Sequence, residues 1–396
     1  MAFKIEIDEP LARGITRIAR ERIERVIESL AEKPHPGAES IHSARKDLKS
    51  MRALLRLASG SIPNETRRAE NLLFRDIGRS LSPLRDSHAL VEALQNFAKS
   101  KPRGGSNNSR ASREMRSDFI NTVCRRIEQE AVRKLPEDTL QQLKEALQGA
   151  ARNVAHWFDG LSCEPGNEWE VFVGFGLRRT YRRGKNIVAQ LESLGRENAA
   201  DETWHELRKC SKALGYQLRL LRQLWPELLE TLLAQIDQLS EKLGDDHDLA
   251  VLRGRLLIEP YNANETQEGA EIRRNFIGSL DRRRRKLHVE TYQIARRIYA
   301  EKPRQFAGRI RCYWNISLTK PTKTFGQIPR QISGRAPKRE ATGRHSQGTA
   351  ISNSVGTGRV ASPGRRNTRD FCSASGQTQQ AKATSASRLR HQASEN

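Results

Sequence analysis

The fold is decided by residues 41–57, which read IHSARKDLKSMRALLRL. His42 precedes Arg45, Lys46 and Lys49 by three, four and seven residues, which is the spacing of one face of an α-helix. At about 100° per residue, the cations of this stretch fall within a sector of about 120° and form a stripe about 21 Å long. The opposite side of the helix carries apolar side chains, namely Leu48, Met51, Leu54 and Leu55. The stretch therefore predicts an amphipathic helix that packs in a helical bundle and presents a basic face.

The same pattern occurs a second time, 163 residues later, in residues 204–220, which read WHELRKCSKALGYQLRL. Here His205 precedes Arg208, Lys209 and Lys212 at the same spacing. Flanking residues correspond in the same order: Arg13, Arg17 and Arg20 with Arg178, Arg182 and Lys185, and Leu81, Arg85 and Asp86 with Leu243, His247 and Asp248. These correspondences, at offsets of 162 to 165 residues, predict an internal duplication of one helical plan.

The purely basic stripes indicate a polyanionic partner. The chain of 396 residues carries 70 Lys and Arg against 47 Asp and Glu, a net charge of +23. Solvated helix faces usually interleave charges of both signs, because like charges at i,i+4 destabilise a helix. Arginine pairs bidentately with phosphate oxygens, and the stripes are rich in arginine. We place His42 and His205 at the start of their helices, where an imidazole N–H could donate to the anion and the helix N-terminus favours negative charge.

The spacing of apolar residues predicts an all-α protein from Leu11 to about Trp314, with two halves at about 1–160 and 161–314. Breaks rich in Gly, Pro, Ser or Asn fall at 33–37, 60–63, 101–110, 163–166 and 260–264. Residues 315–396 have no apolar period and carry 14 Lys and Arg against 3 acids. We predict that this tail is disordered. It is either a polyanion-binding arm or an extension without a selected function.

Cysteine usage and the N-terminal sequence favour a cytoplasmic location. The five cysteines are scattered without CxxC spacing, which argues against a disulfide framework and against a zinc site: Cys124, Cys163, Cys210, Cys312 and Cys372. The first ten residues, MAFKIEIDEP, carry charge where a signal peptide would need an apolar run. Since no segment approaches the roughly 18 apolar residues of a membrane span, we expect no membrane insertion.

Several motifs resemble those of the CHAD domain, the conserved histidine α-helical domain. They are the His-x-x-Arg-Lys-x-x-Lys helix, LSPLRD (81–86), GLRRTYRRGK (176–185), LGDDHD (243–248) and YAEKPRQFAGRIRCYW (299–314). The resemblance covers about residues 1–314 and excludes the tail. It implies two four-helix bundles related by a pseudo-two-fold axis around a basic groove or pore. It also implies binding of inorganic polyphosphate, with several family members associated with polyphosphate granules.

The stripes and the resemblance together give a set of candidate polyphosphate-binding residues. These are Arg13, Arg17, Arg20, His42, Arg45, Lys46, Lys49, Arg52, Arg56, Arg85, Arg178, Arg179, Arg182, Lys185, His205, Arg208, Lys209, Lys212, Arg219 and Arg222. Five further residues are assigned a supporting role: Asp86, Tyr181, Tyr216, His247 and Asp248. No metal and no cofactor is expected. Chain-length preference and oligomeric state stay open.

Two alternative functions remain at this point. A metal-dependent phosphohydrolase would use the His–Asp pair of residues 245–248, DDHD, but the counterpart of His247 in the first half is Arg85, which is no metal ligand. We therefore expect no enzymatic activity. A nucleic-acid-binding protein is compatible with the charge, but aromatic residues make up only 6% of the chain and are not interleaved with the stripes.

Overall fold

The computed structural model describes five stretches of the chain, namely residues 3–32, 35–99, 110–130, 135–258 and 266–319. The predicted tail, apart from its first residues, lies outside them. Within these stretches all regular secondary structure is helical, which confirms the all-α prediction. The helices are α1 (Leu11–Leu30), α2 (Ala38–Leu57), α3 (Asn64–Ser80), α4 (Pro83–Lys99), α5 (Arg110–Gln129), α6 (Glu137–Asn153), α7 (Phe175–Leu194), α8 (Asp201–Leu220), α9 (Pro226–Ile258), α10 (Gln267–Ile298) and α11 (Pro303–Leu318).

Helix boundaries follow the breaks in the apolar pattern. Helix α1 begins at Leu11, as the spacing predicts, and α2 follows the 33–37 break. In the 163–166 break, Gly166 adopts a φ of 82°, a left-handed conformation that favours glycine. The C-terminal boundary differs from the prediction, because α11 continues through Asn315 to Leu318. Asn315–Leu318 thus form the last turn of the helical part.

A first hydrophobic core is built around the two basic helices. The apolar residues of α2 and α8 opposite the stripes are buried, which confirms the predicted helix faces: Leu48, Met51, Leu54, Leu55, Leu207, Leu214 and Leu218, together with Leu221 directly after α8. Helix α7 lies close against the end of α2, since a Cβ on Gly176 would collide with the carbonyl oxygen of Leu57. Because α1, α6, the first part of α9 and the end of α10 complete this core, α2 and α8 are held in a fixed register.

A second hydrophobic core lies further along the two longest helices. It is formed by α4, α5, the later part of α9 and the earlier part of α10, with Phe119, Leu252 and Phe276 among its members. Helix α9 has 33 residues, so it extends about 50 Å and contributes to both cores. Each core therefore draws on helices from both predicted halves, and the halves do not have separate cores. The duplication itself stays a prediction from the sequence.

Charged residues of α9 and α10 lie near the boundary between the two cores. Asp246 is 3% exposed and accepts a hydrogen bond from Arg284 Nε at 2.9 Å. Arg284 also contacts Asp201 at the start of α8, with Nη2 2.6 Å from Oδ1. Burial alone would raise the pKa of Asp246, but the partners His288 and Arg284 hold it below its ordinary value. This network ties the first turn of α8 to both long helices.

The helices of the described residues differ from membrane-spanning segments. None of the helices in these stretches combines the length and the apolar character that a membrane span requires.

Candidate functional site

The two histidines occupy the same place in two helices of equal length. Helices α2 and α8 each have 20 residues, and His42 and His205 are the fifth residue of each. Our placement of these histidines at the helix start was therefore wrong by one turn. Because the first turn of α8 carries Asp201 and Glu202, the free N–H groups of that terminus do not form an obvious anion site beside His205.

Helices α2 and α8 contact each other through their sides and bring part of the two stripes together. Burial is the largest cause of the lowered pKa values of Arg208 and Lys212 on α8. The charge of Arg45 on α2 lowers the pKa of Arg208 further. The charges of Arg208 and Arg219 lower the pKa of Lys212, and Lys46 on α2 adds a smaller contribution. We name Arg45, Lys46, Arg208 and Lys212 the central basic cluster.

Arg208 is the most enclosed member of the central basic cluster. Its Nε is buried and receives no hydrogen-bond acceptor from the described residues. The guanidinium lies over Gly244 of α9, where a Cβ would come within 3.3 Å of Nη2. The carboxylates of Asp248 and Asp245 raise the pKa of Arg208, but burial and Arg45 prevail and the pKa is lowered. The surrounding carboxylates therefore compensate this cation only in part.

A second group of cations continues along α2. Burial lowers the pKa of Arg56 to about 10, helped by the charges of Arg52 and Arg183. Burial likewise lowers the pKa of Arg52, helped by Arg75 and Arg79 of α3. We name Arg52, Arg56, Arg75, Arg79 and Arg183 the flanking basic cluster. It contains cations from α2, α3 and α7, so the stripe of α2 is extended by both neighbouring helices.

Three members of the flanking basic cluster were missed in the sequence. Arg75 and Arg79 stand four residues apart on α3 beside Asp76, and this mixture of signs resembles a solvated face. On α7 we selected Arg182, whereas its neighbour Arg183, which is likewise exposed, contacts Glu206 of α8. The spacing of Arg179 and Arg183 at i,i+4 was the signal that could have identified this face.

Two candidates on α1 and α7 form internal ion pairs. Arg17 binds Glu9 with Nη2 2.5 Å from Oε1, and it also contacts Glu21 at 3.2 Å. Arg178 Nη2 lies 2.7 Å from Glu170 Oε1. Each guanidinium therefore has a carboxylate partner within the fold, and neither is joined to the central basic cluster by a contact found in this structure.

Two further candidates on α7 stabilise the end of α10. Lys185 Nζ donates to the carbonyl oxygens of Tyr299 and Ala300 at 3.1 and 3.0 Å. Tyr181 is fully buried and its hydroxyl donates to the carbonyl oxygen of Ile298 at 2.9 Å. These contacts satisfy carbonyl groups at a helix C-terminus and give both residues a structural role.

Candidates on α8 outside the central basic cluster are paired with carboxylates. Lys209 Nζ contacts Glu206 Oε1 at 2.7 Å, and Glu202 lies 3.4 Å away. Arg219 Nη2 donates to Asp237 Oδ2 of α9 at 2.6 Å. The Arg219 guanidinium also lies 5.6 Å from the ring centre of Tyr216, whose pKa is raised by burial.

The remaining candidates lie at the surface, are half-buried on α9, or have side chains outside the described residues. The exposed ones are Arg13, Arg20, Lys49, Arg179, Arg182 and Arg222, and Lys46 of the central basic cluster is exposed as well. The side chains of Arg85 and Asp86 on α4 lie outside the described residues. Asp248 and His247 of α9 are half-buried and belong to the neighbourhood of α8, through the charge of Arg208 and the ring of His205.

The described residues contain no group of three or more His, Cys, Asp or Glu side chains arranged to hold a metal ion. What the geometry offers is a set of partly desolvated cations, which can bind an anion by charge and by hydrogen bonds from guanidinium and ammonium groups.

Comparison with known proteins places the chain in a family. Residues 17–257 match the model of the CHAD domain, and this match spans more than half of the 396 residues. It includes both histidine-led helices and both basic clusters. A comparison with curated protein sequences gave no match. By its family match, supported by the order of its motifs, the chain belongs to the CHAD domain family.

Proposed function

We propose that the chain binds inorganic polyphosphate along the central and flanking basic clusters. The observation that carries this proposal is the crowding of like charges between α2 and α8. Arg208 and Lys212 are partly removed from water and lie close enough to Arg45 and Lys46 for the like charges to lower their pKa values. Cations in such surroundings cost stability unless an anion compensates them, so their presence here favours an anionic ligand.

The extent of the two clusters favours a chain-like anion over a single small one. Cations follow α2 from Arg45 to Arg56, eleven residues or about 17 Å of helix. A phosphate chain can contact successive cations along this path, and arginine can pair with it bidentately. The family match adds support, because the resemblance to CHAD proteins implies polyphosphate as the ligand.

Nucleic acid fits the same cations less well. Binding of single-stranded nucleic acid uses exposed aromatic rings on which bases stack. Among the described residues, Tyr216 is the aromatic side chain tied to the central basic cluster, and it is half-buried against Phe3, with ring centres 6.3 Å apart. A surface that binds only through phosphate charge favours the polymer with the most phosphate per unit length, which is polyphosphate.

A competition experiment tests this proposal. Labelled long-chain polyphosphate is bound to the purified full chain and displaced by unlabelled polyphosphate, duplex DNA, RNA or short phosphates at matched phosphate concentration. We expect polyphosphate to displace the label best, with affinity falling steeply as salt rises. Equal displacement by DNA would show that the protein binds polyanions in general, and it would overturn the proposal of specific polyphosphate binding.

A further inference from the structure

Two imidazole rings contact each other beside the central basic cluster. The ring centres of His205 on α8 and His247 on α9 lie 4.5 Å apart, with 31° between the ring planes. His205 Nδ1 is buried and has no hydrogen-bond partner among the described residues. A buried imidazole nitrogen without a partner is poorly solvated, so the protonation of this ring depends on the charges placed beside it.

Charged groups surround this pair on every neighbouring helix. Those that act on His205 directly are Glu202, Glu206, Arg208 and Lys209 of its own helix. One step further away, Asp245 and Asp248 of α9 and Arg45 of α2 act on Arg208, and Arg183 of α7 binds Glu206. Arg284 and His288 of α10 bind Asp246, which precedes His247 in α9. The side chains of Arg85, Asp86 and His88 on α4 lie outside the described residues. Several of the carboxylates already have partners, since Glu206 binds Lys209 and Asp246 binds Arg284. Glu202 and Glu206 raise the pKa of His205, but burial together with Lys209 and Arg208 lowers it more.

These surroundings disfavour the charged form of His205. Burial lowers its pKa below the ordinary 6.5, and the charge of Lys209 lowers it further. Without a ligand, His205 is therefore neutral at neutral pH. A bound phosphate chain would cancel the nearby positive charge and stabilise an imidazolium, which raises the pKa in the complex.

We propose that the His205–His247 pair takes up about one proton from solvent when polyphosphate binds, so that affinity rises as the pH falls. This inference rests on the proposed function and adds a regulation of the same site. The sign follows from linkage: when the complex holds more protons than the free protein, binding is tighter at lower pH. No bond in the anion is broken, and the proton stays on the imidazole pair.

The test measures affinity for long-chain polyphosphate across pH at constant ionic strength. Most phosphate groups of a long chain are interior and stay ionised, so the ligand adds little pH dependence of its own. For the unmodified chain we expect affinity to fall by up to about tenfold per pH unit between the pKa of the free pair and the higher pKa of the pair in the complex. Calorimetry in two buffers of different ionisation enthalpy should give an uptake of close to one proton.

Three variants isolate the pair. His205→Gln and His247→Gln should each flatten the pH profile and reduce the proton uptake, and if one of them fails to fold, the other decides. His156→Gln is the matched control, because His156 is 74% exposed and pairs with Asp159 away from both clusters. It should keep the slope of the unmodified chain. Binding that does not vary with pH, or an unchanged slope in His205→Gln and His247→Gln, would overturn the coupling alone. Absence of binding at every pH would overturn the proposed function and this inference with it.

Discussion

Arg22 Nη1 of α1 donates to Asp47 Oδ1 of α2 at 2.7 Å, and Asp47 is 3% exposed. Asp47 is the single acidic residue between His42 and Arg56. Because it turns away from solvent to pair with Arg22, it does not neutralise the stripe on the outer face. The same contact joins α1 to α2, so one ion pair both orders the bundle and leaves the basic face uncompensated.

Replacing Asp47 by Ala should destabilise the fold strongly. It leaves the buried Arg22 without its carboxylate, and breaking a buried pair from one side costs about 3 to 5 kcal/mol. Urea unfolding at neutral pH measures the change. Asp76→Ala is the control, since Asp76 pairs with Arg75 at the exposed surface, and it should change stability little. Equal effects of the two substitutions would contradict the role given to Asp47.

The helices and their buried faces could be predicted from the sequence because both depend on local periodicity. The spacing placed Leu48 and Leu54 in the core and Arg45 on the opposite side, and the structure agrees. Which faces of different helices meet depends on packing between helices, and a single sequence does not display it. Periodicity alone therefore could not separate Arg182 from Arg183, and it could not show that α9 runs through both cores.

Glu70 should make stability depend on pH in a defined direction. It is 4% exposed, and burial raises its pKa above the ordinary 4.5, although Asn153 Nδ2 donates to it at 3.3 Å. A carboxyl group with a raised pKa in the folded state binds its proton more tightly there. The contribution of Glu70 to the free energy of unfolding is therefore fully present below the pKa of Glu70 in the unfolded chain. It is lost as the pH rises through the pKa of Glu70 in the folded protein.

The variant Glu70→Gln measures that contribution. The stability of the unmodified chain relative to Glu70→Gln should decrease as the pH is raised from about 4.5 towards neutrality. Glu145→Gln on α6 is the control, because Glu145 is exposed and contacts Gln141 at 2.8 Å. Thermal unfolding at several pH values gives both curves. A constant difference between the unmodified chain and Glu70→Gln across pH would argue against a raised pKa.

Removing residues 320–396 should leave the melting temperature nearly unchanged. This segment lacks the apolar periodicity needed to bury a hydrophobic face. A second truncation after residue 314 is informative, since it also removes Ser317, whose hydroxyl donates to the carbonyl oxygen of Leu224 at 3.4 Å. We expect the longer deletion to lower the melting temperature measurably. A drop of many degrees for the shorter one would show that the tail stabilises the helical part.

Purified protein should release no orthophosphate from polyphosphate in the presence of Mg²⁺ or Mn²⁺. The expectation follows from the sequence, where the counterpart of His247 is Arg85 and no complete set of catalytic residues can be named. A colorimetric phosphate assay over several hours measures this. Release that disappears in both His247→Gln and Asp248→Asn would show that these residues are catalytic, and it would reverse our assignment.

The two basic stripes should act as one site. Polyphosphate that engages α2 and α8 together gains from effective concentration, so losing either stripe should cost more affinity for long chains than for short ones. We therefore compare two double variants. One combines Arg45→Gln and Lys49→Gln on α2, and the other combines Arg208→Gln and Lys212→Gln on α8. Because burial lowers the pKa values of Arg208 and Lys212, their replacement should leave the ligand-free protein equally or more stable.

Titration of both double variants with short and long polyphosphate distinguishes one shared site from two separate ones. A double variant with Arg125→Gln and Arg126→Gln is the control for net charge, since these cations lie on the exposed side of α5, whose buried side packs in the second core. It should bind almost as the unmodified chain does, apart from a small loss of long-range attraction. Polyphosphate should also raise the melting temperature of the unmodified chain, and less so that of either stripe variant, because it binds the folded state preferentially. If each stripe variant instead loses half of the stoichiometry and keeps the original affinity, α2 and α8 bind independently and the shared site is wrong.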